Sequence, residues 1–230
     1  MNETGWREEI CRVGKSLFDR GYVHATAGNI SVRLDDGYLI TPTDACLGNL
    51  DPARLARLDA EGLQRSGDKA SKTIALHTQI YRATDAYKAD ARCVIHTHST
   101  HCVSLTLSLP YQRVLPRTAL GPELLRAVTP YFVMKVGHVP LIPYYRPGAP
   151  QAADAVADAI HRYGHAGIRI RSAMLSRLGP NVWHSTPAAA MATLEELEET
   201  AKLVCLNASM VDVLTELQIN ELRQTFGAEW

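Results

Sequence analysis

The sequence predicts an α/β fold, a mixed sheet covered by helices, in a single domain spanning residues 1–230. Three observations point there. Apolar residues recur at helical spacing in several long segments. In other segments they alternate at strand spacing, and two of those strands are joined by a hairpin signature. Strands separated by helices build a sheet with helices on its faces, and a hairpin within the series makes part of that sheet antiparallel. One core suffices for 230 residues. A chain of this size buries roughly 70% of the surface it exposes when unfolded.

Trp6, Ile10, Val13 and Leu17 place a helix over 4–20, with Thr4 as N-cap and Gly21 at its end. In NISVRLDDGYLIT, Ile30, Val32 and Leu34 alternate with polar residues. A turn at Asp36-Gly37 then returns the chain through Tyr38 to Thr41. LDPARLARLDAEG reads as a short helix and a strand-like edge. Ile74, Leu76, Ile80 and Tyr81 form a helix opened by Ser71. RCVIH is a strand, and a helix follows from Thr100 to Leu107. The Pro- and Gly-rich stretch 111–130 is a connection with some short helix. YFVMKV and VPLIPY read as strands around Gly137. APQAADAVADAIHRYG is a helix ending at Gly164. IRIRSAML and NVW are strands flanking Leu178-Gly179-Pro180. Pro187 opens a long helix, and QINELRQTFGAEW is a last one.

Lysine plus arginine number 24 and aspartate plus glutamate 24, so the formal net charge is zero. With no basic tract, this argues against a general nucleic-acid binder. The five cysteines are odd in number and include no CxxC pair, as expected of reduced thiols in the cytoplasm. MNETGWREEICRVG carries charges where a signal peptide needs an apolar run. No apolar run approaches the roughly 20 residues of a membrane span. A cytoplasmic protein without a membrane partner is the expectation.

The chemistry-bearing segment is CVIHTHSTHC. His96 and His98, two apart on an extended strand, point the same way and converge as two ligands of one metal must. Neutral imidazole suits zinc and neighbouring divalent ions. The plainer alternative is two polar strand-end residues satisfied by hydrogen bonds. His101 falls outside the alternation and starts the next helix. Three further segments favour an anion. AGNIS and TPTDA put small residues and hydroxyls at turns, where backbone N–H groups approach an anion closely. ASKT sits at a helix N-terminus, where free N–H groups and the helix dipole favour phosphate and Lys72 adds a cation.

In this order GNIS, TPT, SK before the helix with His77, VIHTHS, PLIPYYRPG and LEELEETAKL resemble the class II aldolase/adducin superfamily, from about residue 7 to 207. TPTDACLGNLDPARLARLD and TPYFVMKVG add similarity to its branch of 3-oxo-tetronate 4-phosphate decarboxylases. The resemblance implies a three-layer α/β/α domain with a central, mostly antiparallel sheet. It implies a homotetramer with active sites between subunits and a phosphorylated sugar-acid substrate. Asn29, Thr43, Ser71 and the backbone at Gly28 correspond to phosphate-binding positions, with Lys72 beside them for phosphate or carboxylate. His96 and His98 match two metal ligands. Lys72, Thr73 and Tyr131 are the catalytic candidates.

Two positions depart from the family pattern. The glutamate that usually follows the SK pair is Thr73, which supplies no carboxylate at neutral pH. The histidine that usually completes the metal triad is Leu178. His138 and His184 are the candidate replacements, His138 ahead of His184. An aldolase or epimerase, and a non-catalytic phosphate-binding relative, stand as the alternative readings. His77 is expected to orient the metal loop or to be a buried, hydrogen-bonded histidine. Tyr144 and Tyr145, like Tyr131, are expected at a subunit interface or as proton donors. The EELEET run is expected to be a solvated helix face.

Overall fold

The computed structural model describes residues 1–88, 90–207 and 211–230. Helix α1 (Glu3–Asp19) leads into the hairpin β1 (Asn29–Leu34) and β2 (Gly37–Ile40). Two 3-10 turns precede β3 (Ala56–Asp59), β4 (Gln64–Ser66) and α2 (Ile74–Asp85). Then come β5 (Cys93–His96), α3 (Thr100–Leu107), α4 (Leu109–Arg113), β6 (Arg117–Thr118) and β7 (Gly121–Pro122). The rest is α5 (Pro130–Lys135), β8 (Leu141–Ile142), α6 (Pro150–His165), β9 (Ser172–Leu175), β10 (Gly179–His184), α7 (Pro187–Leu206) and α8 (Glu216–Phe226).

Eight strands form one sheet in the order β4-β3-β2-β1-β5-β10-β9-β8. Every pairing in it is antiparallel except β8 with β9. Strand alternation divides the core in two. Ile30, Val32, Cys93, Ile95 and Val182 face the layer of α1, α3 and α7. Val94, Ala173, Leu175 and Trp183 face α2 and α6. The result is the expected three-layer α/β/α domain.

Local chemistry moves several boundaries. The N-cap of α1 is Asn2, not Thr4, and its side chain accepts from Gly5 N–H at 2.9 Å. The hairpin turn is Asp35-Asp36, because Leu34 already pairs with Gly37. Helix α2 starts at Ile74, three residues after Ser71. The short helix expected in 50–62 is a single 3-10 turn at Pro52–Arg54, and the strand-like edge is β3. YFVMKV is a helix, not a strand. Six apolar residues fit either period, and the choice falls to the cap. Thr129 accepts from Phe132 N–H at 3.1 Å and Pro130 occupies the first turn. VPLIPY contributes only the two-residue β8.

The EELEET run is not simply solvated. Glu198 is 4% exposed. Its carboxylate accepts from the backbone N–H groups of His101 and Cys102, at 2.8 and 3.1 Å. It also lies 2.8 Å from His101 Nδ1. A carboxylate from α7 thus caps the N-terminus of α3, where the helix dipole favours it. Truncation strands buried donors at about 1–3 kcal/mol each. Glu198→Ala is therefore expected to cost about 2–3 kcal/mol in urea unfolding. Glu199→Ala, at the exposed neighbour, should stay within about 0.5 kcal/mol of the parent.

Candidate functional site

The three anion-friendly segments meet. Thr41 N–H donates to Ile30 O at 3.0 Å, and Ile30 N–H to Thr41 Oγ1 at 3.2 Å. The 41–43 turn lies along the 69–71 turn. Thr43 N–H donates to Lys69 O at 2.8 Å and Ser71 N–H to Thr41 O at 3.2 Å. Asn29 Nδ2 and Ser71 Oγ both donate to Thr73 Oγ1, at 3.3 and 3.2 Å. Asn29, Thr43, Ser71 and Thr73 are therefore one cluster, with Lys72 exposed at its rim.

The sheet sets histidine beside this cluster. Asn29 on β1 and Asn181 on β10 are the direct register partners of His96 on β5. Register partners share a face, so two amides flank one imidazole on the side covered by α2. One helical turn after Thr73, His77 approaches the same face. Its Nδ1 lies 2.8 Å from Ser31 Oγ, which lies 2.7 Å from Tyr81 Oη. His96 Nδ1 donates to Pro180 O at 3.0 Å, which leaves its Nε2 lone pair free. The His98 ring stands edge-on to His96, centroids 5.1 Å apart.

All these imidazoles are held neutral. Burial, with His98 as a secondary cause, pushes His96 down to about 3. Burial, then His96, pushes His77 down to about 3. Burial, then His24, lowers His98. Metal ligation needs unprotonated imidazole, and burial supplies it.

Several buried polar atoms here lack a partner: Asn29 Oδ1, His77 Nε2 and both amide atoms of Asn181. Each such atom costs about 1–3 kcal/mol if nothing fills its bond. Their concentration around His96 makes this a place where a water or a ligand would complete the bonding. His96 and His98 suit a divalent ion as two ligands. The set stops there. Thr73 is a hydroxyl, and Leu178 packs into the apolar layer of α2 and α6. Among the described residues no three His, Cys, Asp or Glu side chains stand ready to hold a metal.

The other candidates have different partners. His138 Nδ1 bonds the buried Glu123 at 2.9 Å and its ring stacks on Trp230, centroids 4.4 Å apart. His184 pairs with Cys93, three residues along β5 from His96, which is about 10 Å away. His101 turns to Glu198 on the opposite layer. Tyr131, 62% exposed on α5, makes no hydrogen bond to the cluster. The sequence reading missed His24, Ser31 and Asn181. Ser31 and Asn181 look like ordinary strand residues until pairing sets them beside His77 and His96.

The Class II Aldolase and Adducin N-terminal domain family matches residues 8–205. The chain belongs to this family, whose members typically depend on a divalent metal. Within it, the chain is similar along its length to 3-oxo-tetronate 4-phosphate decarboxylases. The protein of that name from Cupriavidus necator is 49% identical over 99% of each chain. The one from Escherichia coli K12 is 40% identical over 96% of each. The crystal structure of YgbL from Escherichia coli superposes with a TM-score of 0.83 at 38% identity, covering 96% of this chain and 99% of that one. Among the described residues no helix is long and apolar enough to cross a membrane.

Proposed function

We propose that this chain decarboxylates a 3-oxo-tetronate 4-phosphate to dihydroxyacetone phosphate and carbon dioxide. Asn29, Thr43, Ser71 and the backbone at Gly28 hold the phosphate, with the Lys72 ammonium beside it. The bond to the carboxylate carbon breaks, and its electron pair moves onto the neighbouring ketone oxygen as carbon dioxide leaves. A proton returned to the carbon completes the product. Thr73 Oγ1 accepts from Asn29 Nδ2, and once the Ser71 hydroxyl proton turns to the phosphate the Thr73 proton is free to meet the developing oxyanion. The Asn181 amide, buried and unpaired, is a second donor. His96 and His98 would hold zinc or another divalent metal, which would supply further positive charge to the developing oxyanion.

One observation favours this over aldol cleavage. The residues bonded together at the site include hydroxyls, amides and imidazoles but no Asp or Glu. Aldol cleavage needs a base for the distant hydroxyl. Decarboxylation starts from a substrate that is already a carboxylate and needs donors. The proposal includes a cytoplasmic homotetramer. Tyr131 and Tyr144, both about 60% exposed, are suited to subunit contact, and a proton-donor role for Tyr131 requires a neighbouring subunit's site.

Purified protein is expected to release carbon dioxide and dihydroxyacetone phosphate in equal amounts from 3-oxo-tetronate 4-phosphate. Cleavage of fuculose 1-phosphate without carbon dioxide release from the oxo acid would overturn the reading. Thr73→Val should lower kcat about 100-fold with little change in KM, and Thr73→Ser should retain activity.

A further inference from the structure

The His96–His98 pair is one ligand short of a catalytic metal centre, and a third imidazole stands beside it. His24 lies on the loop between α1 and β1. Its ring centroid is 6.3 Å from that of His98, at an interplanar angle of 71°. Neither the His24 nor the His98 side chain hydrogen-bonds within the protein among the described residues. Two imidazoles on one tetrahedral ion, with the metal about 2.1 Å from each nitrogen, have centroids about 5.2 Å apart. The His96–His98 separation of 5.1 Å meets that value. His24 stands about 1 Å beyond it.

The loop is fixed where it needs to be and free where it needs to move. Val23 is buried, and the absent side chain of Gly28 lets Val23 and the His96 carbonyl close on that backbone. Ala27 N–H donates to His24 O at 2.9 Å, closing a turn with Ala25 at a φ of 48°. The His24 side chain itself is exposed. An exposed side chain changes rotamer on the ps–ns scale, the motion that would carry the His24 ring to an ion shared with His96 and His98.

We infer that His24 is the third protein ligand of a divalent metal held by His96 and His98, in place of the ligands lost at Thr73 and Leu178. The site is then a three-histidine centre with one position open for substrate oxygen, the ligand count of a catalytic zinc site. This rests on the metal reading above and adds the ligand that reading lacks.

The test is metal binding by the full-length chain, stripped with chelator and titrated with cobalt(II) or zinc. One equivalent is expected per chain, with the intense visible absorption of four-coordinate cobalt. Outer-sphere partners of a ligand are worth 10–100-fold in affinity, so His24→Ala should weaken zinc by more than about 100-fold. His24→Cys should bind cobalt and add a thiolate-to-cobalt charge-transfer band absent from the parent. His138→Ala should bind metal as the parent does. If His24→Ala binds as tightly as the parent and His24→Cys shows no thiolate band, while His98→Ala loses metal, His24 is not a ligand and the two-histidine reading survives. If the parent binds no metal at excess zinc, both this inference and the metal part of the proposed function fall.

Discussion

Gly179→Ala is expected to be the most damaging single-methyl change in the protein, costing more than about 3 kcal/mol. Gly179 opens β10 at a φ of +142°, a conformation side chains avoid. A Cβ there would sit 1.9 Å from the carbonyl oxygen of Thr97, 2.9 Å from its carbon and 3.1 Å from the Cα of His98. All three are backbone atoms, so no side chain can rotate away. The start of β10 must back off from the end of β5. That breaks the bonds Pro180 O receives from Thr97 N–H at 3.2 Å and from His96 Nδ1–H at 3.0 Å. One methyl thus disturbs the sheet and unseats both histidines. Gly62 provides the control: its φ is +85° but an added Cβ would meet nothing within 4 Å. Gly62→Ala should cost about 1 kcal/mol, the conformational term alone. Urea midpoints of the two variants decide it, and a Gly179→Ala loss no larger than the Gly62→Ala loss would show that β10 yields freely.

The contrast between these glycines reflects what the sequence made legible and what it hid. His96 and His98 could be paired from the sequence because side chains two apart on extended backbone share a face, a local property, although β5 itself ends at His96. The turns at 41–43 and 69–71 were readable for the same reason, since turn chemistry is written within a few residues. Asn181 and Ser31 were not readable. Each sits inside an unremarkable strand, and only the non-local register of β1, β5 and β10 puts them beside His96 and His77. His24 escaped notice because nothing in its neighbours says that Val23 and Gly28 fold its loop against the end of β5. Glu198 was lost inside a run of carboxylates whose other members are more exposed. The helix of 130–135 was mistaken for a strand because apolar runs this short have no period, and the Thr129-Pro130 start that decides the matter lies just outside the run.

The second large effect is an acid sensitivity centred on His77. Burial, reinforced by His96, holds its folded pKa at about 3, whereas an unfolded histidine titrates near about 6.5. Between those values the unfolded chain binds a proton that the folded chain refuses, so stability falls as pH falls. The contribution is whole above about pH 6.5 and drains away toward about pH 3, at about 1.4 kcal/mol per pH unit. From pH 6.5 to 5 the expected loss from this one group is about 1.5 kcal/mol. His77→Asn keeps a polar atom to face Ser31 but has nothing to titrate. Its unfolding free energy should therefore be lower at pH 7 yet fall less steeply with acid. If the parent and His77→Asn lose stability in parallel between pH 7 and 5, His77 is not held neutral by burial. The same physics serves the site. Because His77 resists protonation, no cation forms beside His96 as the medium acidifies, and a neutral imidazole stays available to bind whatever fills the unpaired atoms around it.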